Sequence, residues 1–358
     1  MVRIPVTLGS AGYDLIIGSG AWQHLEQYAK RYDRAVVITD SNVDRLYGSR
    51  FNFPKIVVEP GEFSKSWAVA EKVIQEMVAL GLTRSSVVIA LGGGVVGDLA
   101  GFCAAIYMRG ISYVQVPTTL LAQIDSAIGG KTAIDLPVGK NLVGAFHQPE
   151  GVLINPEVLQ TLSRTDLISG LGEVVKYAII AEPVLVEILR EKGETVYTAP
   201  QEALKEIIIR CCALKAQIVS ADELDCGLRK QLNAGHTIAH ALEAATNFSA
   251  FTHGEAVLLG LAAEARLSHR LGRLDQQDLI KIEEACELVS LPPIPSDLSL
   301  TDVQQALLRD KKNRADKISF MLPRAMGQVE EVLLSMDEVL QHLEAVLRPR
   351  KEGKYGPK

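Results

Sequence analysis

The residues best suited to chemistry in this sequence lie in one stretch, residues 229–257, RKQLNAGHTIAHALEAATNFSAFTHGEAV. Read as a helix, its first half stacks five polar side chains along one face at steps of four, three, four and three residues: Arg229, Asn233, His236, His240 and Glu243. The residues between them are mainly alanine, leucine and isoleucine, which are typical of a buried helix. Burying polar groups without partners is unfavourable by several kcal/mol. We therefore expect the stripe to face a polar cavity that holds a ligand, a metal or both.

Two histidines of this stripe predict a divalent metal site. His236 and His240 have the i, i+4 spacing of a ligand pair on one helix. Either His253 or Glu243 could supply the third ligand. Residues 252–255, THGE, match the T-x-x-E capping box, which predicts that a new helix begins at His253.

Two domains are expected to position these groups, because a chain of 358 residues exceeds the roughly 250–300 residues of a single core. The first part alternates β-branched runs with helical patterns, which is typical of a Rossmann-like parallel sheet with crossover helices. The runs are 36–39, 55–58, 86–91 and 113–116, the helical patterns are 21–31, 66–80 and 95–108, and a hairpin is expected at 4–8 and 13–17. Beyond residue 156 helical periodicity dominates, apart from a hairpin predicted at 318–322 and 329–333.

The predicted organisation therefore has three parts. Residues 1–155 form an α/β domain that binds a nucleotide, and residues 156–347 form a mainly α domain that carries the metal site. Residues 348–358, RPRKEGKYGPK, are basic and rich in glycine and proline, which predicts a flexible tail.

A glycine triplet supports the nucleotide-binding interpretation of the first domain. Residues 92–94 stand between a predicted strand and a predicted helix, where glycines allow a phosphate to approach the exposed N–H groups of the helix. Asp40 follows the strand AVVIT and is suited to a ribose or an adenine edge. The acid precedes the glycines, so the pattern is not the common dinucleotide fingerprint. Residues 129–132, GGKT, are not a P-loop either, because Asp125 occupies the position of its first glycine.

Composition excludes several classes of protein. A net charge of −6 argues against nucleic acid as a bulk partner. Five cysteines without a C-x-x-C pattern indicate free thiols in a reducing cytoplasm. The first residues lack the apolar region of a signal peptide, and no apolar run reaches the ~18 residues of a membrane span.

Longer motifs identify a family. Residues 92–149, from GGGVVGDLAGF to KNLVGAFHQP, resemble the 3-dehydroquinate synthase family of the sugar phosphate cyclase superfamily along their whole length. The resemblance continues through GLGEVVKYAII, LRKQLNAGHTIAHALE, HGEAVLLG and DKKNRADKISFMLP, and so covers nearly the full chain in order. One departure is Asp135, where the family commonly has asparagine.

The resemblance implies a lyase of the shikimate pathway that binds a small anionic sugar-acid phosphate. In that family, NAD transiently oxidises a hydroxyl of 3-deoxy-D-arabino-heptulosonate 7-phosphate, which allows β-elimination of phosphate. The hydride then returns, and an intramolecular aldol reaction closes the ring of 3-dehydroquinate. NAD and a divalent metal, zinc or cobalt, are therefore the implied cofactors.

The same resemblance assigns residues to roles. The implied metal ligands are Glu173, His236 and His253. The implied phosphate and proton-transfer groups are Lys131, Asn141, His240 and Lys311, with Arg109 contributed to the neighbouring subunit of a homodimer. The implied substrate contacts are Asp125, Lys176, Lys215, Arg229 and Asn233. The implied NAD contacts are Asp40, Glu62, Lys65, Gly93, Gly94, Asp98, Thr118, Thr119, Lys131, Lys140 and Thr161.

Three alternatives stay open at this point. Another sugar phosphate cyclase, such as 2-deoxy-scyllo-inosose synthase, would share NAD, the metal and phosphate elimination, but its substrate has no carboxylate. A metal-dependent polyol or alcohol dehydrogenase would share the glycine turn and a helical metal domain, but it would produce net NADH. A non-catalytic nucleotide-binding protein would have no use for the metal ligands.

Overall fold

A computed structural model of the protein describes residues 1–9, 11–308 and 317–347. The strands are β1 (Val2–Leu8), β2 (Ala11–Ile17), β3 (Ala35–Asp40), β4 (Lys55–Val58), β5 (Val87–Gly92), β6 (Ser112–Pro117), β7 (Lys131–Leu136), β8 (Gly139–Phe146), β9 (Gly151–Ile154), β10 (Lys317–Ala325) and β11 (Gln328–Ser335). The helices are α1 (Leu25–Ala29), α2 (Ser41–Tyr47), α3 (Trp67–Ala79), α4 (Gly94–Ile106), α5 (Arg164–Ile180), α6 (Val184–Lys192), α7 (Thr195–Thr198), α8 (Pro200–Ala203), α9 (Lys205–Ala221), α10 (His236–Ala245), α11 (His253–Arg270), α12 (Gln276–Glu287), α13 (Leu300–Leu308) and α14 (Met336–Leu347).

The chain divides into two compact units that do not follow a single boundary. The first unit comprises Met1–Leu167 and Glu194–Arg229, and the second comprises Ile168–Gly193 and the described residues from Lys230 onward. This division differs from the boundary near residue 155 that the sequence suggested. The physical reason is that α9 packs against β1 and so belongs to the first unit, although its sequence continues the helical half of the chain.

The first unit is built on a seven-stranded sheet in the order β1-β2-β9-β6-β5-β3-β4. The β1–β2 pair is antiparallel, and the remaining neighbours are parallel. All six residues of β5 are buried, as expected for a central strand covered on both faces. The predicted parallel sheet and opening hairpin are thus confirmed, whereas β9 and the β7–β8 hairpin were not predicted.

The second unit is mainly helical, as predicted. Its core is formed by α10, α11, α13 and α14 together with the β10–β11 hairpin, whose buried residues include Phe320 and Leu322. The hairpin predicted at 318–322 and 329–333 is present as β10 and β11. Lys311 and the predicted tail at 348–358 lie outside the described residues.

The polar stripe does not lie on one continuous helix, and this part of the sequence prediction is wrong. Residues Leu228–Asn233 form a 3-10 segment, and α10 begins only at His236. Gly235 separates the two with a left-handed backbone, φ +78°, which interrupts an α-helix. Arg229 and Asn233 therefore do not share a helical face with His236, His240 and Glu243.

Within the described parts of the chain, no helix combines the length and the apolar character that a membrane crossing requires.

Candidate active site

Three potential metal ligands from distant parts of the sequence meet in the second unit. Glu173 lies on α5, His236 is the first residue of α10, and His253 is the first residue of α11. Oε1 of Glu173 is 3.4 Å from Nε2 of His236 and 3.3 Å from Nε2 of His253. The capping box predicted at residues 252–255 is present, which confirms the start of α11.

Two glycines let α5 approach the start of α11. A Cβ at Gly172 would overlap the carbonyl oxygen of Gly254, and a Cβ at Gly254 would overlap that of Ser169. Only glycine permits the two backbones to come this close. Since Gly172 precedes Glu173 and Gly254 follows His253, the packing of the glycines brings these two side chains together.

Each histidine points Nε2 at Glu173 while its Nδ1 has another partner. Nδ1 of His236 is 3.1 Å from the carbonyl oxygen of Ala234, to which a neutral ring donates its proton. Nδ1 of His253 is 3.6 Å from Oε1 of Glu243, which is an ion-pair distance. A partner at Nδ1 fixes the orientation of each ring, so that its Nε2 faces the position that a metal would occupy.

This donor set fits zinc or cobalt. Two imidazoles and one carboxylate are typical ligands of a catalytic zinc that keeps a further position open. Tetrahedral ligands at ~2.0–2.1 Å from zinc are about 3.4 Å apart, which matches the separations of Oε1 of Glu173 from both Nε2 atoms. Lys176 forms a buried ion pair with Oε2, but neither carboxylate oxygen accepts a hydrogen bond within the described residues. Glu173 therefore has acceptor capacity that a cation can use.

Burial and charge act on these groups in opposite directions. Burial raises the pKa of Glu173, but Lys176 and His236 lower it well below its ordinary value. Burial lowers the pKa of His236 and outweighs the attraction of Glu173. Burial also lowers the pKa of His253, but Glu173 and Glu243 raise it to about 10. The carboxylate of Glu173 is thus ionised, which favours a bound cation.

A second possible metal group shares one histidine with the first. The ligand atoms of His240, Glu243 and His253 also lie within 4.8 Å of one another. The described residues contain no such group with both His236 and His240, whose ring centroids are 5.5 Å apart and nearly perpendicular. The i, i+4 spacing alone therefore does not bring these two ligand atoms to one ion.

In the first unit, the glycine triplet forms the turn between β5 and α4, as predicted. β5 ends at Gly92, and α4 begins at Gly94 with Gly93 as its N-cap. A Cβ at Gly93 would lie 2.9 Å from Cγ2 of Thr119, and a Cβ at Gly94 would lie 3.1 Å from Oγ of Ser126. The first turn of α4 has no acidic side chain. Its N–H groups therefore suit an anion such as the phosphates of a dinucleotide.

Three lysines expected in the site form ion pairs with carboxylates of the first unit. Their pairs are Lys65 with Asp98 at 2.6 Å, Lys215 with Asp125, and Lys131 with Asp225. Asp98 and Asp125 were expected beside the site, but Asp225 was not. It lies 94 residues from Lys131 in the sequence, and no motif connects the two.

Arg229 is buried and binds the main chain. Its Nη1 donates to the carbonyl of Glu223 at 2.6 Å, and its Nη2 donates to the carbonyl of Gly129 at 3.0 Å. Its Nε is buried without a hydrogen-bond partner among the described residues. The arginine thereby fixes the loop that precedes Lys131.

Comparison with known proteins bears directly on this arrangement. Residues 55–169 match the family model for the N-terminal part of 3-dehydroquinate synthase, and residues 170–313 match the model for its C-terminal part. The chain is 43% identical to 3-dehydroquinate synthase from Alkaliphilus metalliredigens (strain QYMF), over 96% of this chain and 98% of that protein. It belongs to the 3-dehydroquinate synthase family. The family expected from the sequence motifs is thus confirmed.

Solved structures of related cyclases share the fold of this 3-dehydroquinate synthase family member. A 2-deoxy-scyllo-inosose synthase, complexed with carbaglucose-6-phosphate, NAD+ and Co2+, superimposes with a TM-score of 0.85 at 24% identity, over 96% of this chain and 99% of that one. The 2-epi-5-epi-valiolone synthase from Streptomyces hygroscopicus subsp. jinggangensis 5008, with NAD+ and Zn2+ bound, superimposes with a TM-score of 0.84 at 26% identity. The match covers 95% of this chain and 98% of that one.

Several other residues that the family resemblance implies as NAD contacts lie in the first unit. Asp40 caps α2 by accepting from the N–H groups of Asn42 and Val43. Thr161 is 2.8 Å from the hydroxyl of Tyr47 through its Oγ1. Thr118 is buried beside the end of β6. Glu62 lies 3.9 Å from Lys65, and Lys140 lies on β8.

Two family positions have unusual backbones. Asn141 is left-handed, with φ +54°, and its N–H donates to Oδ1 of Asp135 at 2.8 Å. The aspartate that departs from the family pattern thus supports this turn. Arg109 is also left-handed, with φ +71°, and follows Met108 at +49°. Such conformations are uncommon for residues other than glycine and often occur at functional sites.

Proposed function

We propose that this protein converts 3-deoxy-D-arabino-heptulosonate 7-phosphate into 3-dehydroquinate and inorganic phosphate. The observation that carries the proposal is the group of Glu173, His236 and His253 in a chain 43% identical to a 3-dehydroquinate synthase over nearly its full length. A redox-neutral cyclase is favoured over a dehydrogenase because the family match extends through both halves of the chain.

The proposed cofactors are NAD and a divalent metal, zinc or cobalt. NAD+ and Zn2+ are bound in the related 2-epi-5-epi-valiolone synthase, which supports both cofactors. The metal would be held by Glu173, His236 and His253, and the dinucleotide phosphates by the turn at Gly93 and Gly94. When bound, the metal supplies Lewis acidity toward substrate oxygens, and NAD supplies a reversible hydride acceptor.

The cationic side chains are proposed to bind the substrate anions. The substrate carries a phosphate and a carboxylate, and an acidic protein must gather local positive charge to hold them. The proposed phosphate and proton-transfer groups are Lys131, Asn141, His240 and Lys311, and the proposed substrate contacts are Asp125, Lys176, Lys215, Arg229 and Asn233. The ion pairs of Lys131 with Asp225 and of Lys215 with Asp125 hold both ammonium groups in place.

The enzyme is further proposed to be a cytoplasmic homodimer in which Arg109 enters the phosphate pocket of the neighbouring subunit. The five free cysteines suit a reducing compartment. Ile106 and Met108, just before Arg109, are 40% and 41% exposed, which suits a contact surface. Co-refolding Arg109→Ala with His236→Ala chains should restore activity through mixed dimers, whereas each variant alone should be inactive. Inactive mixed dimers would argue against a shared site.

Phosphate release under defined substrates tests the proposed activity. The protein is supplied with NAD, Zn2+ and either the heptulosonate phosphate or glucose 6-phosphate, while NADH absorbance is followed in parallel. Phosphate release from the heptulosonate without NADH accumulation is expected. Release only from glucose 6-phosphate would identify another sugar phosphate cyclase, and steady NADH accumulation would identify a dehydrogenase.

A further inference from the structure

We propose that Glu264 positions the metal ligand His236 by holding the peptide bond between Ala234 and Gly235. The inference rests on the metal-binding role proposed above for His236. Glu264 lies in the middle of α11, eleven residues after His253, and its side chain is fully buried. No sequence motif singled it out.

The carboxylate of Glu264 binds the start of α10. Its Oε2 accepts a hydrogen bond from the N–H of Gly235 at 2.6 Å, and its Oε1 lies 3.3 Å from the N–H of Ile238, which also donates to it. The first N–H groups of a helix have no partner within the helix, and they carry the positive end of its dipole. Gly235 has no side chain that could cap them. A buried carboxylate from a neighbouring helix therefore performs the capping.

The contact extends to His236 through a single peptide plane. In a trans peptide, the N–H of Gly235 and the carbonyl of Ala234 point in opposite directions. Glu264 binds the N–H on one side, and Nδ1 of His236 lies 3.1 Å from the carbonyl on the other. Fixing the N–H thus fixes the carbonyl, which in turn selects the tautomer with the proton on Nδ1. That tautomer leaves Nε2 as the metal-binding atom, facing Glu173.

Close packing keeps this peptide against α11. A Cβ at Gly260 would overlap the carbonyl oxygen of Gly235, and a Cβ at Gly235 would lie 2.7 Å from Cγ of Leu261. Gly235 also needs its positive φ of +78°. The segment before His236 can therefore reach Glu264 only because residues 235 and 260 are both glycine. A residue that holds this segment in place also holds the metal ligand His236 in place.

Glutamine at position 264 is the informative substitution. It keeps the volume of glutamate, but its Nε2 is a donor and cannot accept from a backbone N–H. One of the two contacts is therefore lost, and the peptide before His236 is held less firmly. Loss of an outer partner of a metal-bound histidine typically weakens metal binding by about 10- to 100-fold.

A matched control lies one turn further along the same helix. Ser268 is fully buried, and its hydroxyl donates to the carbonyl of Pro323 at 2.5 Å. Ser268→Ala removes a buried hydrogen bond from α11 without touching the segment before His236. Both substitutions should lower the Tm of the metal-free protein, but only the change at position 264 should affect the metal.

The experiment measures the release of Zn2+ from loaded full-length protein to a chromogenic chelator in excess. E264Q should release zinc at least about 10-fold faster than wild type, whereas S268A should release it at the wild-type rate. The visible spectrum of the Co2+-loaded E264Q protein should change as well, because its histidine ligand is less well oriented. E264D, which keeps both carboxylate oxygens, should fall between E264Q and wild type.

The outcomes separate this inference from the proposed function. Equal release rates and spectra for E264Q, S268A and wild type would overturn the role of Glu264. A wild-type protein that takes up no zinc, or a His236→Ala variant that releases it as slowly as wild type, would instead overturn the metal role of His236.

Discussion

The guanidinium of Arg229 donates to the main-chain carbonyl of Gly129 at 3.0 Å, although the two residues are 100 positions apart in the sequence. Gly129 has φ +99°, and a Cβ there would overlap Nη2 of the arginine. The arginine is 1% exposed, so this contact is made inside the protein. A residue that the family resemblance assigns to the substrate thus also determines the path of the loop leading to Lys131.

Gly129→Ala should therefore destabilise the protein strongly. The new Cβ displaces the Arg229 guanidinium and also forces a non-glycine residue into a positive φ, effects that together amount to about 3 kcal/mol or more. Gly272→Ala is the control, because Gly272 has φ +71° with nothing within 4 Å of its Cβ position. Its effect should be limited to backbone strain of about 1–2 kcal/mol. Chemical denaturation measures the free energy of unfolding of both variants. Equal losses of stability would show that contact with the Arg229 guanidinium does not add to the backbone strain at position 129.

The two possible metal groups can be distinguished by their carboxylates. Glu173→Gln removes the charge shared by His236 and His253, so the purified protein should retain little zinc. Glu243→Gln weakens the ion pair at Nδ1 of His253, so zinc should stay bound with about 10- to 100-fold lower affinity. Elemental analysis after gel filtration measures the zinc content of each variant. An empty Glu243→Gln protein beside a fully loaded Glu173→Gln protein would assign the metal to His240, Glu243 and His253 instead.

The sequence predicted local structure well where a short segment determines its own conformation. The runs that became β3 to β6 are rich in apolar and β-branched residues, and residues 252–255 carry a complete capping box, so both were recognisable. The helical stripe was mispredicted because spacing cannot reveal that Gly235 adopts a left-handed backbone. The polar residues keep helical spacing in the sequence, although the helix itself is interrupted at Gly235.

Long-range partners were beyond the reach of the sequence. Asp225 and Glu264 act through contacts with residues 94 and 29 positions away, and each would pass for an ordinary carboxylate on its own segment. Glu173 was found only through the family motif. Its meeting with His236 and His253 depends on the glycine contact between α5 and α11, which is a property of tertiary packing.

The ion pair of Lys65 with Asp98 should be important for stability. The two side chains are 6% and 17% exposed and 2.6 Å apart. Burial lowers the pKa of Lys65, but Asp98 and Glu62 raise it overall, so the lysine is charged. Lys65→Met would leave the largely buried Asp98 without this partner, with an expected loss of about 3–5 kcal/mol.

A pair of similar length with an exposed lysine is the control for Lys65. Lys281 and Asp278 are 2.7 Å apart on α12, and the Lys281 side chain is 58% exposed, so solvent screens this pair and it should contribute little. Lys281→Met should leave the denaturation midpoint unchanged, whereas Lys65→Met should lower it. The double variant Lys65→Met/Asp98→Leu should recover part of the loss, because no charge remains buried. No recovery in the double variant would show that the lysine stabilises the unit by packing alone.

Asp33 should make the stability of the protein depend on pH at acidic pH. Its carboxylate accepts hydrogen bonds from the hydroxyls of Thr83 and Ser86, which lower its pKa below the ordinary 3.8. A pKa lowered by folding stabilises the protein above the unfolded-state pKa, and this contribution disappears as pH falls through the folded-state pKa. Wild type should therefore have a higher Tm than Asp33→Asn at pH ~6, and the difference should shrink between pH ~4 and pH ~2. The variant Thr83→Ala/Ser86→Ala lacks the donors and should show the same flattened profile as Asp33→Asn. A Tm difference that stays constant across this range would show that the ionisation of Asp33, which lies before β3, does not contribute to stability.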